Sequence, residues 1–239
     1  MLTIARSELA QMLRNRAVLI TSLLMPVAAS AFFVYSRETF AELYSLGYIA
    51  AVIVFTIGAF TLYSTIVTTL AARRQTLFLK RLRSTAAGDP GILAGLVLPV
   101  TVISLVQVTV ILGVFAAVST GPADLPVVVL AIVATFVMML GLGLATAGVT
   151  NSPEQAQVTT LPIALGTILV ASWVGISGTE SATWLKRLLP GGSATELVVE
   201  AWNVGVPFTQ TLTLLAPTLA WVVLAVALAS RMFRWEPRR

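Results

Sequence analysis

LGYIAAVIVFTIGAFTLYSTIVTTLAA, residues 46–72, runs for 27 positions without a charge and ends against Arg73-Arg74-Gln75-Thr76-Leu77-Phe78-Leu79-Lys80-Arg81-Leu82-Arg83. A helix needs about 20 apolar residues to cross a hydrocarbon core of about 30 Å, so this stretch is long enough to span a bilayer. The basic block behind it is the kind of charge that stays on the cytoplasmic side. Five more stretches, at 17–36, 92–119, 125–150, 158–177 and 211–233, read the same way. The expected fold is an all-α integral membrane protein with six transmembrane helices, forming one transmembrane domain over residues 1–239. Twelve of the 15 basic residues fall on one side of those spans: Arg6, Arg14 and Arg16; Arg73, Arg74, Lys80, Arg81 and Arg83; Arg231, Arg234, Arg238 and Arg239. Both termini are therefore expected in the cytoplasm of a multi-pass protein of the cell membrane.

Composition agrees: 57% of residues are hydrophobic and 10% charged, more apolar than a soluble domain buries. The net charge of +5 divides into +8 on the cytoplasmic side (12 basic, 4 acidic) and −3 on the other (3 basic, 6 acidic). That basicity serves orientation and anionic headgroups, and no nucleic-acid partner is expected. With no cysteine and no histidine, thiolate sites, imidazole metal sites and serine–histidine catalysis are excluded.

Ahead of the first span, Leu2, Ala5, Leu9, Met12 and Leu13 recur at helical spacing opposite Ser7, Glu8, Gln11, Arg14 and Asn15. This predicts an amphipathic interfacial helix over 1–16. Pro26 lies inside the first span, where a missing N–H bends a helix. Ala29-Ser30-Ala31 imitates a signal cleavage site, but the apolar run exceeds the about 7–15 residues of a signal core, so the span is expected to be retained. Residues 73–88 read as a short cytoplasmic helix with Phe78, Leu79 and Leu82 on one arc inside a basic surround, closed by Gly88-Asp89-Pro90-Gly91. Gly141, Gly143, Ala145, Ala147 and Gly148 promise close helix packing in the fourth span. Pro153 and Glu154 suit the first turn of a new helix. The stretch 178–210 mixes Glu180, Lys186, Arg187, Glu196 and Glu200 with Trp184 and Trp202. It reads as short outer-face helices, interfacial or re-entrant, broken at Pro190-Gly191-Gly192.

No acidic residue lies near a midplane, which disfavours proton- or sodium-coupled carriage. No glycine-rich phosphate loop precedes either lysine, so the chain holds no ATP site of the usual kind. Buried carboxylate pairs and histidine are missing too, and no catalytic role is expected of this chain.

The order of parts resembles the permease subunit of an ABC exporter of the second permease type, the group containing daunorubicin-resistance permeases. The likeness rests on Asn15-Arg16 before Met25-Pro26, the segment Arg73 to Arg83, Glu154-Gln155-Ala156 with the following Pro162, and Leu189-Pro190 before the last span. It covers nearly the whole chain. It implies a homo- or heterodimer of six-span subunits docked on an ABC ATPase, which binds the ATP and magnesium; this chain carries no cofactor. Carried over, the coupling contacts are Arg74, Phe78, Leu79, Arg81, Leu82 and Glu154. The second and fifth spans would line the path. The family usually has acidic residues and a glycine ahead of its coupling helix, where this chain reads Ala71-Ala72-Arg73-Arg74-Gln75, and a proline at the end of its fifth span, where this chain reads Trp173 to Gly178.

The function expected is ATP-driven export of an apolar or amphipathic compound, a drug, antibiotic or lipid, past Phe55, Phe60, Tyr63, Thr167 and Trp173, with Leu161 and Leu169 adding apolar surface. The rival readings are a non-transporting membrane scaffold or immunity protein that holds a partner by its basic helix, and an uncoupled facilitator.

Overall fold

The computed structural model describes residues 2–14, 16–84, 88–233 and 235. Asn15, Thr85, Arg234, Arg238 and Arg239 lie outside the described residues, as do the side chains of Leu2 and Leu13. Among the described residues every regular element is helical. After α1 (Leu2–Arg14), α2 (Arg16–Leu19) passes through a widened π segment (Ile20–Leu24) into α3 (Met25–Tyr35), and α4 (Arg37–Leu43) follows at once. A second continuous helix, Leu46–Gln75, consists of α5 (Leu46–Thr56), a π segment (Ile57–Ser64) and α6 (Thr65–Gln75). Then come α7 (Phe78–Arg83), α8 (Asp89–Val118), α9 (Leu125–Ala147), α10 (Pro153–Thr159), α11 (Leu161–Ser177), α12 (Thr183–Leu188), α13 (Gly192–Asn203) and α14 (Phe208–Met232). Among the described residues five helices, Leu46–Gln75, Asp89–Val118, Leu125–Ala147, Pro153–Ser177 and Phe208–Met232, are long and apolar enough to cross a membrane. The apolar part of the first, Ser22–Tyr35, is shorter.

Helix ends follow local chemistry. Ser45 and Ser152 cap α5 and α10 by accepting from the Tyr48 and Gln155 N–H groups, and Asp124 accepts from Val127 N. Pro153 occupies the first turn of α10, and the Gln155 side chain turns back to accept from Asn151 N at 2.8 Å. The fifth span accordingly begins at Pro153, five residues before its apolar pattern starts, and is interrupted at Thr160.

The helix Leu46–Gln75 is the column around which the rest packs, touching α3, α8, α9, α10, α11 and α13. It is apolar all round between Gly47 and Ala59 and buried all round there, as such a helix must be. The peripheral spans keep one face outward: Val102, Val106, Val110 and Val114 on α8, and Leu161, Leu165, Leu169 and Trp173 on α11, are exposed at four-residue spacing. In hydrocarbon such stripes carry no penalty. Gly141 of α9 lies so close to Ala225 that a Cβ would stand 2.9 Å from its methyl, and Gly143 packs on Ile66, so the small-residue stripe seats α9 against both α14 and α6.

The two π segments lie against each other, and Pro26 gives the reason. In a regular helix Ser22 O would accept from the N–H at position 26, which proline lacks. Thr61 Oγ1 donates to that carbonyl at 2.6 Å and lies 2.9 Å from Gln107 Oε1. The freed backbone group is satisfied inside the membrane, as hydrocarbon demands.

Candidate functional site

At one end of the bundle, α1, α7 and the α9–α10 connection meet the last turn of α6. Helix α6 runs on to Gln75, so the separate helix expected over 73–88 is only Phe78–Arg83. The junction is made by Leu77, a non-glycine residue at φ 56°, a left-handed conformation that turns the chain sharply. The turn aims Leu79 inward, where it is fully buried in this chain's own core. Phe78 and Leu82 are half-buried against the same core. The expected ridge of Phe78, Leu79 and Leu82 is thus largely consumed within the subunit. The outward face of the segment is Gln75, Thr76, Leu77, Lys80, Arg81 and Arg83.

The paired arginines divide the work. Arg73 reaches sideways to Glu8 at 2.8 Å and to Gln11 Oε1, and its guanidinium lies 5.2 Å from the Phe78 ring centre. Glu8, expected on the solvated face of α1, is 1% exposed, because its carboxylate is turned onto α6. Arg74 points into the bundle: Nη1 donates to Ala147 O at 2.6 Å and Thr150 O at 2.9 Å, and the guanidinium sits 5.4 Å from the Phe233 ring. Those carbonyls are at and just past the C-terminus of α9, where partners are scarce and a cation is favoured. Arg81 donates to Thr76 O, and Arg83 pairs with Asp89 at 3.2 Å and lies over Trp235. Both ends of α7 are thereby tied, one to the central helix and the other to the start of α8. A cavity of about 230 Å³ lies between α1, α6 and α10, lined by Glu8, Gln11, Thr68, Thr69, Arg73 and Pro153. Glu154, exposed in the first turn of α10, stands beside it in sequence but apart from α7.

The expected path residues are not gathered on one surface. Phe55, Tyr63 and Thr167 are fully buried within the single chain, Tyr63 sharing a hydrogen bond with Thr146 at 3.0 Å. Phe60 is half-buried and Trp173 is exposed. The accessible stripe of the central helix is Phe60, Ser64, Thr68 and Ala72, a four-residue spacing that apolar runs conceal.

The opposite end is closed by α12 and α13. Lys186 is wholly buried there; its Nζ donates to Ser177 Oγ (2.8 Å) and Gly178 O (2.6 Å) and lies 5.0 Å from the Trp173 ring centre. It caps the C-terminus of α11 with a cation. Arg187 grips Glu196 with two bonds, Nε at 2.8 Å and Nη2 at 2.6 Å. Burial, and then the Glu196 charge, push the Glu200 carboxyl above its ordinary range, against the pull of Arg187 and a 2.5 Å bond from Gln210. A carboxyl with a raised folded-state pKa stabilises the fold fully below its unfolded value and loses that contribution as pH rises through the folded one. Glu200→Gln should therefore melt higher than the parent at pH 8, with the gap closing by pH 4 in thermal scans. A gap independent of pH would assign the effect to packing instead.

A family profile described as ABC-2 family transporter protein matches residues 3–231. No curated protein matches the chain.

Proposed function

The chain belongs to the ABC-2 family of transporter proteins, and from that membership we propose that it is the permease subunit of an exporter, with six spans and both ends cytoplasmic, energised by a separate ABC ATPase. Within that reading α7 is the coupling helix, with α1 and Glu154 of α10 as flanking contacts, and two permease subunits form the dimer. The cargo is an apolar or amphipathic compound, and its path follows the accessible face of the central helix, from Phe60 past Ser64 and Thr68, with Trp173 of α11. The daunorubicin-type substrate class is part of the same proposal.

The observation that carries it is the anchoring of α7. A six-residue basic helix would be a poor lever if it hung from a free loop. Here Leu79 plugs it into the core, Leu77 fixes its angle, and Arg73 and Arg74 tie the helix before it to α1 and α9. Force applied to the outward face of α7 is then delivered to the central helix, which touches most of the other spans. The outward Leu77 and Arg81, together with Phe78 and Leu82, are the contact proposed for the ATPase groove, while Leu79 acts from within.

The test is purification of the tagged protein in mild detergent with mass spectrometry of what accompanies it, comparing the parent with Leu77→Asp/Arg81→Glu. Aspartate tolerates the left-handed conformation at position 77, while Arg81→Glu reverses the surface charge and gives up the bond to Thr76 O, so a melting temperature equal to the parent's is required of the variant before its partners are compared. An ABC-type ATPase that accompanies the parent and is lost from the variant supports the assignment. A partner without a phosphate-binding loop, retained irrespective of nucleotide, would replace it with the scaffold reading.

A further inference from the structure

We propose that the face between α3 and α8 is a seat for an anionic phospholipid of the leaflet on the α1 side. A cavity of about 720 Å³ opens there under α1, walled by residues such as Leu23, Leu98, Val102, Val106 and Ile111. A second of about 360 Å³ continues it, sharing Val27, Val110 and Ile111 and ending at Tyr35 and Arg37. Together they follow α8 from Leu98 to Val118. At about 1.5 Å per residue those twenty steps come to roughly 30 Å, the thickness of a bilayer core, so a chain entering from the α1 side takes the half that holds Leu98, Val102 and Val106.

The walls are mostly β-branched and leucine side chains, with single small residues at Ala5 and Ala31 on separate helices and with Val102 and Val106 among the most exposed residues of α8. They lack the stripe of small residues by which membrane helices approach each other, so the slot suits an acyl chain better than a second copy of the protein. Its polar lining residues in the larger cavity are Gln107, already engaged with Thr61 and with Leu23 O, and Arg6. Arg6 is exposed at the α1 end of the slot and has no acid or hydrogen-bond partner among the described residues. A phosphodiester offers the guanidinium two oxygens in the geometry it prefers, at the depth where a headgroup sits above its own chain. The same contact would pin α1 along the membrane surface.

The test places a reporter in the slot by Val106→Trp and, as control, on an exposed lipid face away from it by Leu130→Trp. Each full-length variant is reconstituted in vesicles of equal phosphatidylglycerol and phosphatidylcholine, with brominated acyl chains on one lipid or the other, and quenching is read relative to the parent. At Val106→Trp, brominated phosphatidylglycerol should quench about threefold to fivefold more effectively than the brominated neutral lipid, and Arg6→Gln should abolish the preference. Leu130→Trp should show none. Equal quenching by both lipids at position 106, or a preference that survives Arg6→Gln, overturns the proposal. Absence of quenching by either lipid also overturns it, by showing the slot covered by protein. Retention of phosphatidylglycerol by native mass spectrometry, lower in Arg6→Gln than in the parent without any reporter, is a second measure that does not depend on how the tryptophan variants fold.

Discussion

Arg74→Ala should cost the folded protein about 3–5 kcal/mol, since a hydrogen bond from a charged group contributes about 1.5–3 kcal/mol and two are lost. The side chain is 1% exposed, and one nitrogen serves the carbonyls of both Ala147 and Thr150. Alanine removes the donor from Thr150 O and leaves Ala147 O only the long bond from Thr150 N at 3.4 Å, and each unsatisfied buried group is worth about 1–3 kcal/mol. It also leaves a void the size of a guanidinium beside Phe233. The loss falls on a contact that holds the end of the central helix to the end of α9. Coupling should therefore fail together with stability. Arg74→Lys keeps the charge but gives up the planar fork, so it should recover part of the loss and no more. Arg73→Ala/Glu8→Ala is the comparison: it removes the bond between α1 and α6 together with the buried carboxylate that would otherwise be stranded, while α1 keeps its packing on α8. Thermal unfolding in detergent reads all three, with a drop on the order of 10 °C expected for Arg74→Ala. A melting point for Arg74→Ala equal to that of Arg73→Ala/Glu8→Ala would mean that the inward arginine carries no special load.

The two arginines also mark where the sequence stops being legible. Their sum of charge was readable, and so was the side of the membrane it suggests, because orientation depends on counts of charge near span ends. Which one turns inward depends on the rotation of α6 at its last turn, and that is fixed by packing against α9. Five long apolar helices were visible as runs without charge. Their order of burial was not, since lipid is as apolar as leucine and a run such as 46–72 reads the same in the centre of a bundle as at its edge. Phe55, Tyr63 and Thr167 read as surface on that account, though all three are fully buried within the same chain. Leu79 fell to a different limit: the arc of Phe78, Leu79 and Leu82 is a helical one, but Leu77 at φ 56° rotates the whole arc inward, and no leucine announces a left-handed turn. The seat of Thr61 on Ser22 O was half readable, because Pro26 strips a partner from the carbonyl four residues before it, while the donor that replaces it comes from another span. The small residues of α9 carried the clearest message, a demand for close neighbours on two sides.

Glycine is equally decisive at the other end of the bundle, and Gly192→Ala should have the largest effect of any single methyl added to this chain. A Cβ on Gly192 would overlap the carbonyl oxygen of Lys186, a backbone atom that cannot rotate away. The overlap is relieved only by moving α12 off α13, which withdraws Lys186 from Ser177 and Gly178 and strips the C-terminus of α11 of its cation. The neighbouring Gly191 is constrained by a different cause: at φ 93° an L side chain is strained, and its Cβ would come within 2.6 Å of the Phe55 ring. We expect Gly192→Ala to lose more than about 3 kcal/mol and most of its folded yield, in the range of severe overpacking. Gly191→Ala should be destabilised by less, and Phe55→Leu should relieve part of that loss in a double-mutant cycle, because a ring can be shortened and a backbone carbonyl cannot. Gly166→Ala supplies the control. It lies in α11 with nothing within 4 Å of its Cβ position, so alanine there should be neutral or stabilising by about 0.5–1 kcal/mol from helix propensity alone. Fluorescence-detected size exclusion after graded heating compares the variants directly. If Gly192→Ala elutes and melts like Gly166→Ala, then α12 does not sit on α13, and the burial of Lys186 goes with it.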